Sequence, residues 1–306
     1  MQNTFSAAAA AFTFLLLTAC AATQPARDVF RELPLEGAPL AEPGPYRVTR
    51  EAAFDAPGFI VFRPVDLGAF PARDRLPVLL WGNGGCNIDG RRYSEFLPTV
   101  ASHGFLIVTT IPVEPEEGEQ ARTRATAADM LASLDWVIAE NERVGSHLFE
   151  KIDTSRIAAM GVSCGGFALA APTGMDPRVS TTGLLNTGLE APGPVAPADG
   201  RPTSESLSEL NGPVLLLNGG EVDFMYETSR ENFELINHVP VFYGARDNAG
   251  HSATYNHPGG GEFANVISDW LLYVFKGDGE AGQTFVGDNC RLCTNPNWET
   301  ASKGLE

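Results

Sequence analysis

Along this chain, short unbroken apolar runs alternate with longer stretches in which apolar residues recur every three or four positions. The runs Pro77-Val78-Leu79-Leu80-Trp81, 105–111, Arg156-Ile157-Ala158-Ala159-Met160, 179–186, Pro213-Val214-Leu215-Leu216-Leu217-Asn218 and Val239-Pro240-Val241-Phe242-Tyr243 are strand-length, and predict strands covered on both faces. Between them, residues 93–103 place Tyr93, Phe96, Leu97 and Val100 at helical spacing, and Gly104 ends the pattern. Residues 121–141 carry Met130, Leu131, Leu134, Val137 and Ile138 as the buried stripe of a second helix, and residues 224–236 and 262–275 predict two more. Upstream, residues 46–51 and Phe59-Ile60-Val61-Phe62-Arg63-Pro64 read as strands joined by the turn Asp55-Ala56-Pro57-Gly58, an antiparallel edge. Regular alternation of strand and helix predicts an α/β fold: a mostly parallel central sheet with helices on both faces. In such sheets ligands bind beyond the carboxyl ends of the strands.

The ends of the chain have a different character. An apolar stretch from Ala7 to Leu17, too short to span a bilayer comfortably, marks residues 1–19 as an export signal. It leads into Leu17-Thr18-Ala19-Cys20, which resembles a bacterial lipobox and implies acylation of Cys20. Because Met1-Gln2-Asn3-Thr4 lacks Lys and Arg, ordinary secretory cleavage between residues 19 and 22 stays open as the alternative. Either reading places the protein in the cell envelope or the medium, with the membrane a partner only through a lipid anchor. Residues 20–45 then form an anchor and linker, residues 46–277 a single domain, and residues 278–306 a C-terminal tail. The Pro-, Ala-, Ser- and Glu-rich segment 189–211 is either a lid or a surface connection.

A formal net charge of −17 excludes nucleic acid as a partner, since phosphate binding needs clustered Lys and Arg. A monomer is expected. With Cys20 set aside, Cys86, Cys164, Cys290 and Cys293 remain, enough for two disulfides in an oxidising compartment. Only Cys290-Arg291-Leu292-Cys293 has zinc-knuckle spacing, so no metal is expected. That pair lies among Asn and Pro rather than at the start of a helix, which favours a short structural disulfide over a redox site.

The chemistry gathers around Gly161-Val162-Ser163-Cys164-Gly165-Gly166. Preceded by a strand and followed by small helix-forming residues, it reads as a nucleophile elbow, with Ser163 as the nucleophile. A serine hydroxyl needs a histidine to take its proton and an acid to orient that histidine. His251 stands on a loop just beyond a strand, with His257 in reserve. Asp223 follows the 213–218 strand, with Glu221 and Asp247 as rivals. The order Ser163, Asp223, His251 is that of the α/β-hydrolases. One oxyanion donor is then the backbone N–H of Cys164, and a second lies among Gly84, Gly85 and Cys86 in the glycine loop after Trp81.

On these segments, together with Ala101-Ser102-His103-Gly104-Phe105, the chain resembles α/β-hydrolases of the dienelactone hydrolase, chlorophyllase and polyester hydrolase (cutinase-like) neighbourhood over most of residues 59–275. The resemblance implies the α/β-hydrolase fold, assigns nucleophile, acid and base to Ser163, Asp223 and His251, places the second oxyanion donor at Cys86, and requires no cofactor. Both inferred donors are cysteines, a departure that suggests a disulfide between Cys86 and Cys164, because amides converging on one oxygen bring their α-carbons within disulfide range. The function implied is a serine hydrolase that cleaves small or polymeric carboxylic esters through an acyl-enzyme. A peptidase on the same fold and a non-catalytic envelope lipoprotein are the alternatives; a cysteine nucleophile is disfavoured, because the elbow position holds Ser163. Trp81, Ile88, Met225 and Tyr226 are candidates for a substrate subsite or for the core.

Overall fold

The structure, a computed structural model, describes residues 41–70, 74–192 and 201–306. The proposed signal, the lipobox with Cys20, most of the linker and the middle of the 189–211 segment lie outside the described residues.

Among the described residues nine strands form one sheet: β1 (Val48–Ala52), β2 (Phe59–Pro64), β3 (Leu76–Gly82), β4 (Leu106–Thr110), β5 (Ile152–Val162), β6 (Thr181–Leu185), β7 (Val214–Asn218), β8 (Val241–Arg246) and β9 (Trp298–Lys303). Their spatial order is β1-β2-β4-β3-β5-β6-β7-β8-β9. The six strands from β4 to β8 run parallel, while β1, β2 and β9 pair antiparallel at the edges. This is the α/β-hydrolase architecture, and the predicted antiparallel opening is present as β1 and β2.

Each central strand buries both faces, because successive side chains point to opposite sides. Leu79 and Trp81 of β3 pack with helices α1 (Phe96–Ala101) and α5 (Gly261–Lys276) through Phe96, Phe263 and Trp270. Val78 and Leu80 face the opposite layer, where α2 (Ala127–Glu142) contributes Met130, Leu134 and Val137. Farther along the sheet, Leu216 and Tyr243 meet Tyr226 and Phe233 of α4 (Tyr226–Leu235). A short α3 (Ala171–Gly174) sits between α2 and α4 in sequence, and α6 (Gly279–Gly282) follows α5.

Three elements differ from the sequence reading. The helix expected over residues 93–103 is confined to α1, preceded by a separate 3-10 turn, Gly90–Tyr93. Pro98 explains the late start: without an N–H it is tolerated only in a helix's first turn. The helix expected from residue 121 begins at Ala127, because Thr126 and Asp129 form a reciprocal capping box. Residues 123–125 instead pair with the Cys86 loop, through Ile88 N–H to the Thr123 carbonyl (3.0 Å) and Ala125 N–H to the Cys86 carbonyl (2.8 Å). Finally, the tail is part of the fold. It supplies β9 as the sheet edge, and Phe285, Cys290, Leu292 and Trp298 enter the core beside α5. Trp-Glu-Thr-Ala-Ser-Lys hides this strand from pattern reading, since an edge strand buries little and can be mostly polar.

Candidate active site

β5 ends at Val162, and Ser163 follows at φ +54, a left-handed conformation that a residue with a Cβ adopts only under constraint. The constraint is visible on both sides. Ser163 N–H donates to the Leu185 carbonyl of β6 (2.8 Å), and the Ser163 carbonyl accepts from Gly166 N–H (2.8 Å) as the chain turns into helix. Gly165 has no alternative here, because a Cβ would collide with the carbonyl oxygen of Gly82 at the end of β3. The elbow thus sits tightly against the neighbouring strand end, with the half-buried Ser163 side chain at the sheet edge.

Asp223 and His251 stand on the loops after β7 and β8. Those loops cross closely: Gly250 N–H donates to the Gly219 carbonyl (2.9 Å), and a Cβ on Gly219 would collide with the Gly250 carbonyl. As a result His251 Nδ1 lies 2.7 Å from Asp223 Oδ1, and His251 Nε2 lies 2.8 Å from Ser163 Oγ. A carboxylate only accepts, so Nδ1 carries a proton, and the tautomer with its one proton there offers Nε2 as acceptor to the Ser163 hydroxyl. Asp223 is 1% exposed. Burial by itself raises a carboxyl pKa, but the hydrogen bonds from His251, the Met225 amide, Asn186 and the Gly219 amide outweigh it and hold Asp223 below its usual range. The rivals are elsewhere: Glu221 and Asp247 are exposed, and His257 is buried in the turn that leads into α5.

On the opposite side of Ser163, Cys86 and Cys164 are joined by a disulfide with α-carbons 5.1 Å apart. Cys290 and Cys293 form the second. Cys86 also has a left-handed backbone, φ +49, and its loop is pinned from several directions. Buried Asn83 donates to the Asn87 carbonyl (2.9 Å) and accepts from Thr109 (3.1 Å), while Gly84 N–H donates to the Tyr93 hydroxyl (2.9 Å). Burial pushes the Tyr93 phenol up to about 12, so it stays uncharged. Arg124 approaches Cys164 Sγ at 3.3 Å.

Sequence reasoning missed several contributors. Asn186, at the end of β6 and fully buried with φ +46, donates from Nδ2 to Asp223 Oδ2 (2.8 Å) and to the Gly250 carbonyl (3.1 Å), and its Oδ1 accepts from the Tyr255 hydroxyl (3.0 Å). An Asn closing a strand was the available signal, and strand-end position alone does not say what it touches. Of the subsite candidates, Trp81 is core, packed against Tyr93, Phe96 and Tyr255, and Tyr226 is buried with its hydroxyl on Glu299 (2.5 Å). Ile88 belongs to the core layer of α2, and Met225 is half-buried. Both sequence neighbours of Asp223 are apolar side chains that face outward: Val222 is 63% exposed and Phe224 74%. The Phe224 ring lies against the His251 imidazole, with centroids 3.9 Å apart and planes 31° from parallel.

Among the described residues no helix is long and apolar enough to cross a membrane. Two disulfides fit an extracellular protein. Comparison with curated proteins gives no match. The family profile described as PET hydrolase-like matches residues 93–286, nearly two thirds of the chain, a span that contains Ser163, Cys164, Asp223 and His251 and begins after the Cys86 loop. By that match and by its fold, the chain belongs to the PET hydrolase-like (PETase) family, ester hydrolases of the α/β-hydrolase type.

Proposed function

We propose that the protein hydrolyses carboxylic esters with Ser163 as nucleophile, His251 as general base and acid, and Asp223 as the acid that orients His251. The observation that carries this reading is the unbroken chain Ser163 Oγ, His251 Nε2, His251 Nδ1, Asp223 Oδ1, with links of 2.8 and 2.7 Å. Ser163 Oγ attacks the ester carbonyl carbon as its proton passes to Nε2, and Asp223 stabilises the imidazolium that results. The carbonyl oxygen becomes an oxyanion held by the backbone N–H groups of Cys164 and Cys86, each donor contributing on the order of 10²- to 10³-fold in rate. Collapse of the tetrahedral species breaks the bond to the alcohol, which leaves with the proton from Nε2. Water then attacks the acyl-enzyme, again giving a proton to His251, which returns it to Ser163 Oγ as the free acid departs.

The test is labelling by a fluorophosphonate probe, alongside a hydrolysis panel of graded acyl and alcohol groups. Wild type is expected to label and to turn over esters, and Ser163→Ala to do neither. Equal labelling of both proteins would falsify the assignment.

Export with an acyl anchor on Cys20 accompanies this reading. Labelled palmitate should enter the wild-type protein and not Cys20→Ala; incorporation into both, or neither, excludes that anchor.

A further inference from the structure

We propose that Phe224 forms the alcohol-side subsite of the enzyme and selects esters of uncharged, apolar and above all aromatic alcohols; the inference rests on the Ser163 and His251 roles proposed above.

The exposure of Phe224 is its first unusual property. At 74% exposed, with Val222 at 63%, it leaves a large ring in water where a polar loop residue costs nothing. The loop dictates this orientation. Asp223 N–H bonds to the Gly220 carbonyl (2.8 Å) and Tyr226 N–H to the Asp223 carbonyl (2.9 Å), a tight turn that sends Asp223 inward and leaves its two neighbours outside. The ring is not free to wander, because one face rests on the His251 imidazole at 3.9 Å. The remainder is an apolar surface next to the atom that handles the proton.

Stereochemistry assigns that surface to one half of the substrate. In acyl transfer Nε2 must deliver its proton to the leaving oxygen, so that oxygen lies within hydrogen-bond reach of the imidazole and its substituent extends past it. The carbonyl oxygen points instead towards Cys164 and Cys86, and the acyl chain departs in the third direction. A group lying along the face of His251 therefore belongs to the alcohol. An aromatic alcohol gains ring-to-ring contact beyond simple area burial, and exposed Glu221 beside Val222 disfavours an anionic one.

The experiment compares esters of one acid with methanol and with benzyl alcohol, hydrolysed by wild type, Phe224→Ala and Phe224→Trp, with thermal unfolding confirming intact folds. For the benzyl ester kcat/KM should fall about tenfold in Phe224→Ala, against a change of less than about threefold for the methyl ester. Phe224→Trp should keep the benzyl preference, and exchanging an acetyl for a butyryl group should leave the benzyl-to-methyl ratio unchanged. An equal loss on methyl and benzyl esters would overturn the subsite, showing that Phe224 acts only on His251, as would a loss that follows the acyl group. Absence of any Ser163-dependent ester hydrolysis would sink the catalytic reading itself, and is distinguished by the Ser163→Ala control.

Discussion

Asn186 Nδ2 donates to Asp223 Oδ2 at 2.8 Å, so the carboxylate facing His251 is gripped on its second oxygen from the end of a neighbouring strand. The same amide holds the Gly250 carbonyl and, through Oδ1, the Tyr255 hydroxyl. One buried side chain therefore ties Asp223 to the backbone that carries His251.

Replacing Asn186 with Ala should lower kcat by about ten- to a hundredfold with a much smaller change in KM, as expected for losing a hydrogen bond of roughly 1.5–3 kcal/mol to a charged group. Asn186→Asp should be worse at neutral pH, since it sets a second carboxylate against Asp223. Steady-state kinetics of both variants checks this; an unchanged kcat would remove Asn186 from any positioning role.

The Cys86–Cys164 disulfide spans a sequence separation of 78. Loop entropy gives it about 4–5 kcal/mol of stability before strain is deducted. The double variant Cys86→Ala with Cys164→Ala should unfold at markedly lower denaturant and lose kcat more than affinity, because the two inferred oxyanion amides are no longer tethered. Denaturant melts and kinetics with and without reductant separate the two effects: reduction should alter the wild type far more than the double variant, in which only the short Cys290–Cys293 disulfide is left to open.

Asp223 has a depressed pKa in the folded protein. Its stabilising contribution is then fully present above its unfolded value, near 3.9, and is lost as pH falls through the lower folded value. Asp223→Asn should accordingly show a flatter loss of stability below about pH 4 than the wild type. Thermal melts from pH 3 to 6 would show it, and parallel profiles for the two proteins would contradict the depressed pKa.

Glu262, at the start of α5, pairs with Arg246 of β8 at 2.8 Å and accepts from Trp298 Nε1 of β9 at 2.6 Å, and both charged side chains are 5% exposed. Glu262→Ala leaves the Arg246 charge buried and uncompensated, a loss of about 3–5 kcal/mol. Glu262→Gln should lose less, because Trp298 keeps an acceptor. Chemical denaturation measures both, and a loss below about 1 kcal/mol for Glu262→Ala would show that Arg246 finds another partner.

The alternation of strand and helix, the elbow around Ser163 and the order of Ser163, Asp223 and His251 were legible in the residues themselves. All three are properties of short segments: periodicity reports which faces are buried, and a Gly-rich turn between a strand and a helix has few conformations to choose from. The cysteine pairing was legible as well, once resemblance had put Cys86 opposite Cys164. What only the tertiary structure decided are relations between segments distant in sequence. Nothing local to Asn186 announces Asp223 and Tyr255, nothing in Asp223-Phe224 announces that the ring rests on His251, and the mostly polar residues 298–303 become a strand only because β8 offers them an unpaired edge. The physical reason is that a through-space hydrogen bond or ring contact is set by how loops from different strands converge at the sheet edge. No pattern within a single loop encodes that.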